Sequence, residues 1–448
     1  MPQAETLTFN PAAEVSPLDA AGREPMALCS VPRADGSAAR FAVPQRVLEL
    51  LHLFDGTRTT PQALDEYARA HPGAHAREAL EGLVRDFLLP RRLLLAGGEA
   101  AAGAAAAHGP DPRGNYLTFK VRFLSGDRVY PVARALGWMF ARPVFLSWMA
   151  VVALVHVALY TRVAPAAGLA LSQVTGADVL LVALLTTISV FIHEMGHASA
   201  AVHFGCRRTE IGWGLYLWFS VFWTDVSEAW KLPRRQRAVV DLAGIYFQSV
   251  FMVALLGAYL ATREPIWLYG FLASDVGIAH SLNPFLRMDG YWLISDLFGI
   301  VNLRAQTARL LRVAVARATR VFRPVAAPPW GLDRRTTWVL GVYTVLSLGF
   351  FLYIYEVLVR FLVVGLVESL PRSAARLWAA LTASPPRAWP LAGATVEVLW
   401  RALLLAGVSL FVLRLMRSAG RWLLAVLRMV RAPAPAAPLG APAGRVAP

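Results

Sequence analysis

The stretch "FIHEMGHASAAVHFG" (191–205) sets His193, Glu194, His197 and His203 at the end of an otherwise apolar segment. On a helix, residues four apart differ by about 40° of rotation, so His193 and His197 share one face. Two neutral imidazoles on one face can both reach a zinc ion at about 2.0–2.1 Å. Glu194 lies one step round the helix, where its carboxylate can take a proton from a water on that zinc. This is the chemistry of the HExxH pattern. The competing reading is a pair of hydrogen-bonded histidines beside a glutamate. It weakens near membrane depth, where an ionised carboxylate costs about 2.5–3.5 kcal/mol even on the lenient insertion scale.

A catalytic zinc needs a third protein ligand and an open position. His203 has the spacing of the HExxHxxGxxH pattern, but that pattern turns the chain at a glycine. Here the position is Ala200, inside "ASAAV", which favours continued helix. Six residues then carry His203 about 240° away from His197, and it is expected to point elsewhere, toward lipid headgroups. Asp289, in "NPFLRMDGYW" (283–292), is the stronger candidate. Asn283-Pro284 ends an apolar span and Asp289-Gly290 forms a turn-like element. A carboxylate on a broken segment between membrane helices needs a positive partner, and zinc is one. The alternative is that Asp289 caps a helix beginning at Tyr291. The two cysteines, Cys29 and Cys206, are too far apart in sequence for a zinc ribbon or a disulfide framework. A metal must therefore rest on His, Asp or Glu.

What has to position these residues follows from composition. The chain has 448 residues, 56% of them hydrophobic, a mean hydropathy of +0.48 and a formal net charge of +15. That is too apolar for an ordinary soluble protein and too charged for spans alone, so a membrane protein with soluble appendages is expected. Six apolar spans are read at 143–162, 178–204, 238–261, 266–283, 337–363 and 393–413, each near the ~20 residues that cross a bilayer core. Arginines crowd into 301–324 and the tail after Leu413, while charges nearly balance over 1–97. The soluble part thus offers no basic face for nucleic acid, and arginine beside apolar spans marks cytoplasmic loops. With no signal-peptide pattern at the start, both termini are expected in the cytoplasm. The aromatic run 210–230 reads as a β-hairpin or an interfacial segment against the membrane surface. The stretch 364–392 leaves room for a re-entrant piece, and 301–324 for either an interfacial helix or a solvated connector.

The expected architecture is mainly α: a transmembrane helix bundle with a small winged-helix-like α/β domain at its N-terminus. Residues 1–24 read as a disordered leader and 25–97 as the small domain. In the latter "ALCSVPRADGSAARFAVP" suggests a hairpin turning at Asp35-Gly36, and "PQRVLELLHLFDG", "TTPQALDEYARAH" and "AREALEGLVRDFLLPRRLLL" suggest three helices. The second of these should be capped by Thr60, with Pro61 at its first position. A low-complexity linker is expected over 98–114, a membrane core over 115–300, an Arg-rich cytoplasmic segment over 301–335, further spans over 336–416 and a basic Ala/Pro-rich tail over 417–448.

HExxH on one span with an NP…DG element on a later one resembles the site-two protease family of intramembrane zinc metalloproteases. "GLYLWFSVFWTDVSEAWKLPRRQRAVVDLAGIYFQ" and "NPFLRMDGYWLISD" are more similar still to the bacterial peptide zinc metalloproteases. The resemblance runs from about Asn115 to Arg320. It implies a zinc endopeptidase of the bacterial cytoplasmic membrane acting on a peptide or membrane-anchored precursor. It also implies His193, His197 and Asp289 as zinc ligands, Glu194 as general base, and Asn283 as a residue that positions substrate. Many site-two proteases carry Gly-Pro and then Asn on the span after HExxH. Here "AGIYFQ" keeps Gly244 but has Ile245 for the proline and Gln248 for the asparagine, leaving Gln248 as a second substrate-positioning candidate. The N-terminal domain resembles the PqqD-like leader-peptide recognition element, which would take a peptide as an added strand; a regulatory or scaffolding winged helix is the other reading. The rival functions are a non-proteolytic transporter or export accessory and a zinc-binding sensor.

Overall fold

The computed structural model describes residues 6–22, 24–33, 38–72, 77–96, 117–169, 174–207, 209–216, 219–319, 332–363, 368, 370–383 and 388–431. The expected Asp35-Gly36 turn, the linker 98–114 and the end of the C-terminal tail lie outside these residues.

The expectation of a disordered leader is corrected. Residues 6–18 form two strands, β1 (Thr6–Phe9) and β2 (Glu14–Leu18). β2 pairs antiparallel with β3 (Met26–Pro32), and β3 with β4 (Ala38–Pro44), giving a sheet in the order β2-β3-β4. β1 sits between β5 (Asp55–Thr59) and β6 (Leu94–Ala96) in a second antiparallel sheet. Around them pack α1 (Gln45–His52), α2 (Thr60–Ala70) and α3 (Arg77–Leu83), which runs on into a π turn. Leu50, Leu51, Phe54, Leu64, Leu88 and Leu93 are fully buried in one apolar cluster. Each such side chain contributes about 1.5–3 kcal/mol by leaving water. The cap of α2 is Thr59, not Thr60, and Pro61 takes the second helical position. The Thr59 N–H donates to Gln62 Oε1 at 2.9 Å, closing the helix start from the third position.

A third sheet follows, which the sequence reading contains only in part. β8 (Ile211–Tyr216) and β9 (Phe219–Thr224) form the expected antiparallel pair, but β7 (Leu117–Leu124) joins β8 from a hundred residues earlier. The helices begin with α4 (Gly126–Leu136) and α5 (Arg142–Ala158), which continues through a π turn into α6 (Ala164–Ala167). α7 (Gly176–His203) starts at a reciprocal cap. The Asp178 N–H donates to Thr175 Oγ1, and the Thr175 N–H donates to Asp178 Oδ2. α8 (Arg234–Thr262) packs along α7, α9 (Pro265–Ser281) along both, and the short α10 (Asp289–Phe298) against α8. Gly196 on α7 makes the α7–α8 approach possible, since a methyl group there would stand 2.2 Å from the Ala243 carbonyl oxygen.

Two polar ties cross the apolar helices. Trp148 Nε1 on α5 donates to Ser249 Oγ on α8 at 2.9 Å. Asp275 on α9 takes the Tyr160 hydroxyl on one oxygen and lies 3.3 Å from His156 Nε2 with the other. On its other side the His156 ring faces Val152 O, 2.8 Å from Nδ1.

A separate unit comprises residues 307–326 and 340–448. α11 (Leu303–Thr319) and α12 (Arg334–Val363) run into it, and α13 (Leu370–Thr382) packs on α14 (Ala388–Arg431) within it. Glu397 on α14 accepts from Ser373 Oγ at 3.0 Å and pairs with Arg376 and Arg401, so its charge is met on three sides. Among the described residues five helices are long and apolar enough to cross a membrane: Arg142–Ala167, Gly176–His203, Arg234–Thr262, Arg334–Arg360 and Pro390–Gly407. The remaining expected span, 266–283, corresponds to α9, whose 17 residues reach about 25 Å against a hydrocarbon core of about 30 Å. The fold is thus a polytopic helical bundle with a small α/β part.

Candidate metal centre

α7 stays helical through His203, which fixes where its side chains point. His193 and His197 fall on the face against α8, and His203 leaves it. The His203 ring lies beside Phe140 at 6.0 Å and against Gly137, on the short 3-10 turn that precedes α5. It therefore takes no part in the cluster, as its helical position leads one to expect, and its ring is exposed beside Phe140.

The two rings on the α8 side are each held from behind. His197 Nδ1 is 2.7 Å from the Val240 carbonyl oxygen, which can only accept, so Nδ1 carries the proton. His193 Nδ1 is 3.0 Å from Gln248 Oε1. Both rings consequently turn bare Nε2 atoms inward, 3.0 Å apart. Asp289 completes the group: Oδ2 is 2.8 Å from His193 Nε2 and Oδ1 is 3.5 Å from His197 Nε2. Gln248 is thereby corrected from a substrate-positioning candidate to a buried support of His193, 3% exposed behind the ring. Among the described residues these three donors form the group able to hold a metal ion.

The donors fit zinc. Three donor atoms that converge in a largely buried place call for positive charge among them, and a metal ion supplies it. Two ligands of a tetrahedral zinc, each at 2.0–2.1 Å, are about 3.3 Å apart, and the three observed separations straddle that value. Two imidazoles and one carboxylate also make a set of the type found in catalytic zinc sites. Gly244 faces the group across α8, and a methyl group there would stand 2.4 Å from His193 Nε2 and 2.5 Å from His197 Nε2. The absence of a side chain at that position is what leaves room for an ion.

Asp289 reaches the site because α9 stops at Ser281 and the chain loops back before α10. Asp289 is the first residue of α10, and it is not a cap for a helix starting at Tyr291. A carboxylate in a first turn is favoured by the helix dipole. The Ser281 hydroxyl donates to Asp289 Oδ2 at 2.8 Å, fixing the carboxylate from the end of α9. Asn283 shapes the intervening loop, its Oδ1 accepting the Phe285 N–H at 2.9 Å.

Glu194, 8% exposed, is held by a residue absent from the sequence reading. The Thr224 hydroxyl, at the end of β9, lies 2.6 Å from Glu194 Oε2 and 3.1 Å from Glu194 O. The third sheet thus reaches Glu194 directly. Thr224, Ser281 and Val240 carry no local signal, since each is defined by a partner 8 to 43 residues away. Gly244 and Gln248 are the two that the sequence itself marks, by their place in "AGIYFQ".

No family model matches the chain, and no solved structure matches it. A Bacillus subtilis (strain 168) protein, YydH, named a "putative peptide zinc metalloprotease", is 22% identical over 118 residues. The match covers 26% of this chain and 46% of that protein, so the chain spans about half the length of the relative it matches.

Proposed function

We propose that the protein is an intramembrane zinc endopeptidase that hydrolyses a peptide bond in a peptide or membrane-associated precursor. The observation that carries the reading is the meeting of His193, His197 and Asp289 on the face of α7 that α8 covers, one residue from Glu194. The name of the Bacillus relative supports the peptide-protease class.

His193, His197 and Asp289 would hold the ion, which when bound polarises a substrate carbonyl and acidifies a water. Thr224 engages Oε2 of Glu194 and so leaves Oε1 as the proton acceptor. Glu194 then takes the proton of the attacking water and passes it to the departing amine. Gln248 and Val240 keep both Nδ1 atoms protonated, which keeps both Nε2 lone pairs directed at the ion. Asn283, on the loop that leads to Asp289, would position a substrate strand.

Positive charge beside the spans supports a bacterial cytoplasmic membrane with both termini inside. The two small sheets of the N-terminal region support a role in presenting a leader peptide. The test is Glu194→Gln in the purified full-length chain. Zinc content should stay at the native value while cleavage of a precursor peptide is lost. Undiminished cleavage by Glu194→Gln, or a native chain that retains no zinc, would refute the assignment.

A further inference from the structure

Residues 19–21 tie together the two helices that flank the donor set. α8 begins at Arg234 after Pro233, which has no side-chain acceptor for the first-turn N–H groups. Asp19, 215 positions earlier, supplies one: its Oδ2 accepts the Arg234 backbone N–H at 3.0 Å, and its Oδ1 lies 2.7 Å from Arg234 Nε. The Asp19 carbonyl oxygen accepts from Arg237 Nη2 at 2.9 Å. Arg237 is 1% exposed, and its other nitrogens donate to Leu232 O and to Asp296 Oδ1 on α10, both at 2.9 Å. Two residues further, the Ala21 N–H donates to the Gly299 carbonyl at 2.8 Å, where α10 ends.

The strap 19–21 is therefore bonded to the first turn of α8 and to the last turn of α10. α8 carries Val240, Gly244 and Gln248, the supports of the two imidazoles. α10 carries Asp289 at its other end, only ten residues away, so a shift at Gly299 is transmitted along a rigid rod of about 15 Å.

We infer that Asp19 and Arg237 are positioning residues for the metal centre: the strap from the N-terminal domain sets α10 against α8 and so holds Asp289 at binding distance from His193 and His197. The inference rests on the reading of these three residues as metal ligands. It gives the N-terminal domain a route to the site, because β2 ends at Leu18, one residue before Asp19. A peptide that displaced β2 would displace the cap of α8 with it.

The experiment uses the purified full-length chain and the variants Asp19→Ala, Asp19→Asn and Glu14→Ala. Three quantities are read: zinc affinity in competition with a chromophoric chelator, the visible absorption of the cobalt-substituted protein, and hydrogen exchange at residues 234–237 in metal-free protein. Asp19→Ala should weaken zinc binding about tenfold, the lower end of what second-layer substitutions cost, move the cobalt bands and speed exchange at 234–237. Asp19→Asn keeps an acceptor for the Arg234 N–H and should stay within about threefold of native. Glu14→Ala loses only an exposed contact to Lys231 and should leave all three readings unchanged. Native zinc affinity and native cobalt bands in Asp19→Ala would overturn the inference, as would exchange that does not rise, or equal losses in Ala and Asn. If the native chain itself binds no zinc, the functional reading fails instead, and the exchange measurement still decides whether the cap exists.

Discussion

Gly244→Ala adds one methyl group and replaces no ligand, yet it should empty the metal centre. The new carbon would stand 2.4 Å from His193 Nε2, 2.5 Å from His197 Nε2 and 2.6 Å from His193 Cδ2, where ordinary contacts begin at 3.4 Å. Each ring must retreat by about 1 Å, several times the ~0.2 Å tolerance of a zinc–nitrogen bond. Retreat also pulls the Nδ1 atoms off Val240 O and Gln248 Oε1, which sit directly behind them. The loss in zinc affinity should reach or exceed 100-fold, the upper end for changes around a metal site. The effect on α8 itself has the opposite sign, because alanine in a helix interior is favoured over glycine by about 0.5–1 kcal/mol. Helicity by circular dichroism should therefore hold while zinc per chain, measured after dialysis against a chelator, falls. Gly257→Ala is the control on the same helix, with nothing within 4 Å of the added carbon, and should retain zinc. A Gly244→Ala protein with native zinc affinity would refute the placement of the ion between these rings.

Thr224→Val removes the donor to Glu194 Oε2 without altering a ligand. Zinc content should be unchanged and kcat should fall about tenfold with little change in KM, consistent with losing a hydrogen bond to a charged group; a fall in zinc content would place Thr224 in metal binding instead. Asp275→Val leaves His156 Nε2 and the Tyr160 hydroxyl without their shared partner, which should cost about 1–3 kcal/mol and lower the thermal midpoint in detergent while zinc is retained; an unchanged midpoint would show the tie to be energetically silent. Burial pushes the Cys29 thiol up to about 12, so at pH 8 a maleimide should label it only after the N-terminal region unfolds, and labelling of the folded chain at the rate of a free thiol would contradict that burial.

What the sequence made legible follows from what is local in it. The four-residue spacing of His193 and His197 on an apolar helix is a local fact, and so is the unbroken "ASAAV" run that turns His203 away. Asp289 could be singled out because Asn283-Pro284 and Asp289-Gly290 break a span where a carboxylate is costly. Beyond that, the site depends on pairings that no local pattern records. Thr224 reaches Glu194 only because β9 folds against α7, and β7 completes that sheet from outside the aromatic run that revealed β8 and β9. Gln248 looked like a substrate contact by its place in "AGIYFQ", whereas helix packing sets it behind His193. The strands at 6–9 and 14–18 leave no pattern of their own, because they are only four and five residues long and are stabilised by partners as distant as Leu94–Ala96. α9 has the hydropathy of a span, and its 17 residues are short for one because the chain turns back early to deliver Asp289.

Removing the metal should loosen one donor before the other two. His193 and His197 sit on α7, whose contact with α8 is set by Gly196 against Ala243 and by an apolar cluster that includes Ala200, Ala201, Val240 and Phe247. Nothing in that contact requires an ion. Asp289 arrives on a helix of ten residues, held by Ser281 at one end and at the other by Arg237–Asp296 and the Ala21–Gly299 bond. Without the ion, the three donors lose the bridge that joins them across 2.8–3.5 Å, and the slack is taken up by whichever element yields most easily. That element is α10, since α7 would have to part from α8 along its length. Chelation should therefore raise hydrogen exchange across 289–295 while leaving 194–202 unchanged, with zinc restoring the first. A uniform rise over both segments would mean that the ion is part of the α7–α8 packing itself, and that the two imidazoles are not held in place by Val240 and Gln248 alone.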